Sequence, residues 1–414
     1  MSRPWGSVLF LADVSLLKPA SGAEKVLHQQ AVGLNRQGYT VLALTRCNGK
    51  GPDQVRQVDG LMEACYMADP GRRLKFFSGW LRKPGPLLKR LTEKRNVRAA
   101  VCHQPFTAAS TILTGKINQI PIIYVFHSPS HEEFKASADN LGPLKKFSGA
   151  LVRRAIEYCC LRKARRIVTL SHYMRDRLKR VHRVGERRIA VNPGGVELHR
   201  FSPPSSRSAV KRKLALPKDR VHLLTVRNLE PRMGIDNLLA AVADLKKKGY
   251  AIYLTIGGAG PEMHRLEALV DTLGLNGDVA MAGFIPDNLL PEYYGAADFF
   301  LLPTRSLEGF GLVTVEAMAC GTPVLGTPVG AAPEILGRLD RRLIFKDALP
   351  EAMAEGIAEN IAWFFKSPNR YRDLRRRCRD YAVANYSWER HIHTLITVID
   401  SIAVENFSRV CKSR

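Results

Sequence analysis

No stretch of this chain is apolar over the roughly 20 residues that a membrane-spanning helix needs, which excludes such a helix within it. The first apolar run, Val8 to Ala12, is closed off by Asp13 and is too short for a secretory hydrophobic region, so the chain is expected to work on the cytoplasmic side. Cysteines never fall at Cys-x-x-Cys or another zinc-like spacing: Cys47, Cys65, Cys102, Cys159, Cys160, Cys320, Cys378 and Cys411 are scattered. They are expected to be reduced thiols, most of them buried as small hydrophobes, and no structural metal is expected. Neither a low-complexity tract nor a short-period repeat is present, which sets aside disordered and solenoid architectures.

Acid is the other shortage. Against 63 Lys and Arg stand 38 Asp and Glu, a net charge of +25, and such a surface seeks anions. The excess is concentrated in Arg72, Arg73, Lys75, Arg82, Lys83, Lys89, Arg90, Lys94, Arg95 and Arg98, interleaved with Leu74, Phe76, Phe77, Trp80, Leu81, Leu87 and Leu88. Basic residues among aromatics and leucines suit an element lying on an anionic membrane surface. Further basic runs, Lys145 to Arg188 and Arg375-Arg376-Arg377, suit solvated helix faces equally well. Nucleic acid would also answer the charge, but no nucleic-acid-binding signature occurs and no specific nucleic-acid partner is expected.

The composition, 45% apolar and 24% charged, is that of a globular protein, and 414 residues are too many for one core. Val8 to Ala12, a helical pattern from Glu24 to Gln37, and Tyr39 to Leu44 form a βαβ unit ended in the middle by Gly38. Further strands are expected at Ala99 to His103, Ile122 to His127, Arg166 to Ser171 and Arg188 to Asn192, the last two around a helix that includes Tyr173 to Lys179. After the Pro-, Gly- and Ser-rich connector from Asn192 to Arg207 a second alternation begins. Its strands are expected at His222 to Val226, Tyr253 to Ile256, Val279 to Ala282, Phe299 to Leu302, Pro323 to Leu325 and Leu343 to Phe345, before a terminal helix from Trp388. The expected fold is α/β, two doubly wound Rossmann-like domains facing across a cleft. The domains are residues 1–192 and 208–385, with a linker at 193–207 and a C-terminal helix, 386–414, packed back on the first domain.

Chemistry concentrates in Glu308-Gly309-Phe310-Gly311-Leu312-Val313-Thr314-Val315-Glu316, followed by Ala317-Met318-Ala319-Cys320-Gly321-Thr322-Pro323-Val324. A strand end, a loop with two glycines and a short helix starting near Leu312 would aim unpaired N–H groups at a phosphate. The flanking carboxylates would repel phosphate, and are better matched to neutral hydroxyl pairs on either side of it. A sugar and a ribose joined by a diphosphate make a nucleotide sugar.

This Glu-x7-Glu and its sequel resemble the donor-site signature of the retaining glycosyltransferases of family 4, which have the GT-B fold. Ser21-Gly22-Ala23-Glu24, Asn192-Pro193-Gly194-Gly195-Val196, Gly257-Gly258-Ala259-Gly260-Pro261 and Gly283-Phe284-Ile285 are similar to other recurring stretches of that family. The resemblance implies that Glu308 touches the donor sugar and Glu316 the ribose, with Gly309, Phe310, Gly311 and Leu312 lining the same site. Gly22 would approach the diphosphate, Phe284 and Ile285 would lie where the base packs, with main-chain groups reading the base edge, and His127 would lie near the donor sugar and acceptor. Weaker candidates for the acceptor side are His103, Glu132 and Glu133.

Where the family carries an arginine and a lysine for the diphosphate, this chain has Asn228 and Met233, with Arg227 and Arg232 immediately beside them. Those two arginines are expected to supply the charge that stabilises the leaving group. No Asp-x-Asp occurs, which fits a metal-independent enzyme without a cofactor. The expected activity is transfer of a sugar, with retained configuration, from a UDP- or GDP-linked donor to a glycan or lipid-linked acceptor in cell-surface polysaccharide assembly, at an anionic membrane. Two other classes stay open: a nucleic-acid-binding protein on the same fold, or another sugar-nucleotide enzyme such as an epimerase, phosphorylase or hydrolase.

Overall fold

Alternating apolar strands and amphipathic helices build two separate sheets, each the centre of its own unit. The computed structural model describes residues 5–17, 21–48, 52–68, 79–137 and 141–412. The first unit holds the chain up to Pro193 together with the segment from Trp388 onward, and the second is Gly194–Ser387. The crossings therefore fall at Pro193 and Ser387, close to the connector and the turn expected from composition.

In the first unit the strands are β1 (Trp5–Ala12), β2 (Tyr39–Asn48), β3 (Gln54–Val58), β4 (Leu61–Ala68), β5 (Val97–Cys102), β6 (Ile122–Phe126), β7 (Arg166–Thr169) and β8 (Ile189–Val191). They lie in the order β3-β4-β2-β1-β5-β6-β7-β8, parallel except for β3 against β4. The helices are α1 (Gly22–Arg36), α2 (Pro84–Thr92), α3 (Pro105–Leu113), α4 (Ser130–Ser137), α5 (Pro143–Lys163), α6 (His172–His182) and, at the end of the chain, α15 (Trp388–Lys412). Side chains alternate across a strand, and both faces of this sheet are covered. Val8 and Phe10 pack with Leu27, Ala31 and Leu34 of α1 and with Ile392, Leu395 and Ile399 of α15. Leu9 and Leu11 face the other way, into a core with Leu87, Leu88, Ala108, Leu161 and Met174. That is why β1 reads as an uninterrupted apolar run.

The second unit has five parallel strands, β9 (Val221–Val226), β10 (Ile252–Gly257), β11 (Val279–Gly283), β12 (Phe299–Leu302) and β13 (Val324–Gly326), in the order β11-β10-β9-β12-β13. Its helices are α7 (Arg207–Lys213), α8 (Ile235–Lys247), α9 (Met263–Thr272), α10 (Leu290–Ala296), α11 (Leu312–Ala319), α12 (Ala332–Leu336), α13 (Pro350–Lys366) and α14 (Pro368–Asn385).

Four expectations are corrected. Cys47 and Cys65 are joined in a disulfide, not reduced, because neighbouring β2 and β4 bring their Cα atoms to 5.9 Å; Cys102, Cys160, Cys320 and Cys378 are buried free thiols. Leu343–Phe345 is not a strand: Asp340 accepts from the Arg342 N–H and starts a 3-10 turn, Arg341–Leu343, leaving one bridge from Ile344 to Gly326. The β3–β4 hairpin was not expected, although its turn is Asp59-Gly60, a favoured hairpin dipeptide with both residues at positive φ; the polar run Gln54–Val58 hid its first strand.

The fourth correction concerns the basic stretch. Arg72, Arg73, Leu74, Lys75, Phe76 and Phe77 lie outside the described residues. In the described part, Trp80, Leu87, Leu88 and Leu91 turn inward, and Trp80 Nε1 donates to the Phe106 carbonyl at 2.6 Å. Lys83 pairs with Asp53 at 3.0 Å. Among the described residues of this segment, the apolar side chains apart from Leu81 are core.

The second unit is tied at one edge by a buried carboxylate. Asp298 accepts from Arg207 Nη2 at 2.7 Å, Lys211 Nζ at 2.9 Å and the His222 N–H at 2.8 Å, joining α7 to β9. Burial opposes its ionisation, but Arg207, Lys211 and the His222 N–H outweigh it and hold the carboxyl below the usual aspartate range. Its contribution to stability is therefore present above the unfolded aspartate value near 4 and lost as pH falls through the lower folded value. Asp298→Asn should lower the unfolding free energy of this unit by about 3 kcal/mol at neutral pH, because two cations lose a buried partner. Chemical denaturation followed by fluorescence measures this; a loss under about 1 kcal/mol would mean that packing alone holds α7.

Candidate functional site

Parallel strands deliver the residues that follow them to one edge of a sheet, and in the second unit that edge collects the expected donor-site residues. Arg227 follows β9, Gly258 follows β10, Phe284 and Ile285 follow β11, and the segment from Pro303 to Glu308 follows β12. Because β9 and β12 are paired neighbours, Arg227 and Glu308 meet: Nη2 donates to Oε2 at 2.5 Å, with both residues buried. Thr304 Oγ1 donates to the same oxygen at 3.2 Å. Met233 is buried alongside, its Sδ 2.9 Å from Arg227 Nη2. The other guanidinium nitrogen, Nη1, is buried without a hydrogen-bond partner.

The loop is held in shape by backbone. Leu307 adopts φ 59°, a left-handed conformation that a leucine rarely takes and that costs about 1 kcal/mol or more. Gly330, at φ 67°, lies so close that a Cβ would fall 2.2 Å from the Glu308 carbonyl oxygen. Gly311, at φ 79°, caps α11 and turns the chain into the helix that carries Glu316. Glu316 is buried and accepts from Tyr294 Oη at 2.9 Å, and the Thr314 hydroxyl is buried without a partner.

Other candidates are held by contacts within the unit. Arg232 donates to Glu230 at 2.9 Å and to the Leu307 carbonyl at 3.2 Å, so it braces the strained residue ahead of Glu308. Phe310 is buried, stacked edge-on to Tyr386 at 5.7 Å and packed on Gly194, and Leu312 lies beside the same glycine. Ile285 is buried against Gly257 and Val226, whereas Phe284 is 72% exposed. Phe310 and Ile285 thus spend their side chains on packing, and what they can offer a ligand is main chain.

In the first unit, His103 and His127 follow the neighbouring strands β5 and β6, which places His103 Nδ1 3.0 Å from His127 Nε2. The contact continues: His103 Nε2 lies 3.0 Å from Gln30 Oε1, Gln30 Nε2 lies 2.9 Å from His391 Nε2, and His391 Nδ1 lies 2.7 Å from the Pro193 carbonyl. Gln30 and His391 carry no local signal that could have singled them out. Gly22 is the first residue of α1, capped by Ser21, with open space where a Cβ would be. Glu132 is engaged by Arg177 at 2.5 and 3.2 Å, and Glu133 is exposed.

A donor set absent from the expectations lies next to them. His131, Glu157 and His182, all buried, bring ligand atoms within 4.8 Å of one another, the kind of set that can hold a divalent ion. Two of the three already satisfy each other: His182 Nε2 is 2.9 Å from Glu157, whose oxygens also receive the Ser130 N–H at 3.3 Å.

Burial holds His127 and His391 down at about 4 and pushes His103 well below the ordinary histidine value. Each ring therefore stays neutral when folded, while the unfolded chain takes up a proton near pH 6.5. With folded values depressed, stability is complete above about pH 6.5 and falls as pH drops towards about 4, by up to about 1.4 kcal/mol per pH unit for each ring. Urea midpoints for the first unit should decline between pH 7 and pH 5, before most carboxylates titrate. A flat profile over that window would contradict three neutral buried rings.

Comparisons with known proteins bear on the family and the fold. The family model described as glycosyl transferases group 1 matches residues 206–402, and that described as glycosyltransferase family 4 matches residues 20–200. A GDP-mannose-dependent alpha-(1-6)-phosphatidylinositol monomannoside mannosyltransferase of Mycolicibacterium smegmatis is 30% identical over 203 residues, 47% of this chain and 52% of that protein. The chain thus spans about half the length of the first such curated relatives. A D-inositol 3-phosphate glycosyltransferase of Saccharomonospora viridis is 26% identical over 92% of this chain and 89% of its own. Among solved structures, sucrose-phosphate synthase from Thermosynechococcus elongatus superposes with TM-score 0.80 at 23% identity, covering 96% of this chain and 100% of that one. Anabaena HepE in complex with UDP-glucose gives 0.73 at 16% identity, with coverage of 96% and 100%. At such identities a likeness to solved structures speaks for the fold. The chain belongs to the family 4 glycosyltransferases and has the GT-B fold.

Proposed function

We propose that the protein transfers a sugar from a nucleotide diphosphate donor to an acceptor at an anionic membrane surface, with retention of configuration and without a metal ion. The observation that carries the donor half is the buried Arg227–Glu308 pair with an unpartnered guanidinium nitrogen beside it. A buried ion pair is costly, and a spare buried N–H more so, unless a ligand rich in oxygens completes the set. The diphosphate would accept from Arg227 Nη1 and from the start of α11, whose dipole favours negative charge. Glu308 would accept from sugar hydroxyls and Glu316 from the ribose. In the first unit His127 would meet a hydroxyl of the donor sugar or acceptor. As the glycosidic bond breaks, charge grows on the leaving phosphate, where the preorganised donors act most strongly. The leaving phosphate would then help remove the acceptor proton on the same face of the sugar.

Support for a membrane surface comes from α5. Leu144, Phe147, Leu151 and Tyr158 recur at helical spacing and are 80%, 64%, 59% and 47% exposed, along a face shared with the exposed Arg154 and Arg162 and flanked by Lys145 and Lys163. An apolar stripe bordered by cations matches a bilayer carrying anionic headgroups. Each inserted apolar side chain would contribute about 1.5–3 kcal/mol and each nearby cation about 1 kcal/mol. One relative points to a lipid acceptor, since the mycobacterial mannosyltransferase acts, by its name, on a phosphatidylinositol monomannoside, whereas the inositol 3-phosphate glycosyltransferases are named for a phosphorylated polyol.

Two measurements test the two halves. Thermal melting with UDP, GDP and ADP and their sugars should show a rise of several degrees with one nucleoside series, abolished in Glu316→Ala; no shift with any nucleotide would remove the donor assignment. In co-sedimentation, binding to vesicles of phosphatidylcholine with phosphatidylglycerol should exceed binding to phosphatidylcholine alone. Replacing Phe147 and Leu151 by Ser should reduce it at least about tenfold, given the area withdrawn. Unchanged pelleting would take α5 out of the membrane proposal.

A further inference from the structure

We propose that Gln30, His103 and His391 form a buried relay that fixes the direction of each hydrogen bond leading to His127, so that His127 presents Nδ1 as an acceptor.

One atom in this line has no choice of role. A carbonyl oxygen only accepts, and the Pro193 oxygen lies 2.7 Å from His391 Nδ1, so that nitrogen carries the proton. In a neutral ring the other nitrogen, Nε2, must then accept, and what it accepts is the amide N–H of Gln30 at 2.9 Å. The amide is thereby oriented, and its oxygen faces His103 Nε2 at 3.0 Å. His103 therefore donates from Nε2 and accepts at Nδ1, and the donor to Nδ1 is His127 Nε2 at 3.0 Å. One proton of His127 is spent inward, and its remaining nitrogen is left with a lone pair. Four elements, α1, α15 and the ends of β5 and β6, are needed to build the chain.

Neutrality is what makes the order unique. An imidazolium has no acceptor nitrogen, so a second proton on His391 or His103 would break the chain at that ring. Burial opposes such a proton on all three rings. His391 is also held from behind, since Asn192 Nδ2 donates to its carbonyl at 3.0 Å. The relay thus ends on the last residue of the chain before it enters the second unit at Gly194, and on the helix with which it returns at Trp388.

The inference deepens the proposed function and rests on it in one respect, that a substrate hydroxyl is what His127 meets. That hydroxyl then has to donate to Nδ1, which selects its orientation. Gln30, His103 and His391 are positioning residues, since none is proposed to touch the substrate.

The full-length protein, labelled with 15N at histidine, tests this by two-bond proton–nitrogen correlation at pH 7.5. The expected tautomers are Nε2–H for His103 and His127 and Nδ1–H for His391. An Nε2–H signal from His391, or an Nδ1–H signal from His127, would overturn the relay without any variant having to fold. Gln30→Leu should mix the tautomers of His103 and lower kcat about ten- to a hundredfold through misorientation, with the donor KM within about twofold. Gln30→Glu keeps an acceptor for His103 and asks His391 to take a second proton at Nε2, so it should restore much of kcat while His391 becomes an imidazolium. Equal losses in both variants, or a Gln30→Leu enzyme with wild-type kcat, would defeat the functional claim. A wild type that turns over no nucleotide sugar would defeat the proposed function and leave the tautomer result standing.

Discussion

The second unit is organised around one buried ion pair. Arg227 and Glu308 are 81 residues apart, and neither could be buried alone at tolerable cost. Pairing of β9 with β12 brings them together, Thr304 adds a second donor to the carboxylate, and Met233 closes the other side. The surrounding irregularities follow from keeping that pair in place. Leu307 takes a left-handed conformation, Arg232 braces its carbonyl, and Gly330 gives the Glu308 backbone room to pass. Strain is tolerated where the pair and its neighbours over-determine the loop. Arg227 and Arg232, equivalent as sequence expectations, thus separate into a charge at the site and a brace behind it.

The first unit holds a buried polar line made of neutral groups. Its buried histidines are linked through an amide to a main-chain carbonyl, and burial keeps the line free of charge. Cations of this unit are displayed outward along α5, beside apolar side chains that no described neighbour covers. The same helix carries Glu157 on its inner face, buried with His182. One helix thus presents a satisfied polar interior and an amphipathic exterior.

Much of the architecture was legible because strands covered on both faces announce themselves as continuous apolar runs, as β1, β6 and β12 do. The loop from Glu308 into α11 was legible as a loop and helix start because glycines, glutamates and a helix start fall within a few residues of one another. The β3–β4 hairpin was legible only at its Asp59-Gly60 turn, since Gln54 to Val58 is polar and only β4 is well buried. The bridge between Cys47 and Cys65 was not legible, since its spacing matches no motif and its proximity comes from strand order. The segment around Trp80 to Leu91 misled because cations alternate with apolar residues both on membrane-binding helices and on ordinary helices with one face in a core.

Sequence alone determined the two α/β repeats, their connector, and the residue types gathered at Glu308 to Glu316, because these rest on periodicity and turn chemistry within short windows. Tertiary structure alone decided which side chains pack against one another and which pair across the fold. Phe310 and Ile285 turned inward, Arg232 turned to the backbone, and Gln30 met His391 across 361 residues. The reason is physical: local propensity fixes where a residue sits along a strand or helix, but the partner of a buried polar group is chosen by strand order and packing, which no short window contains.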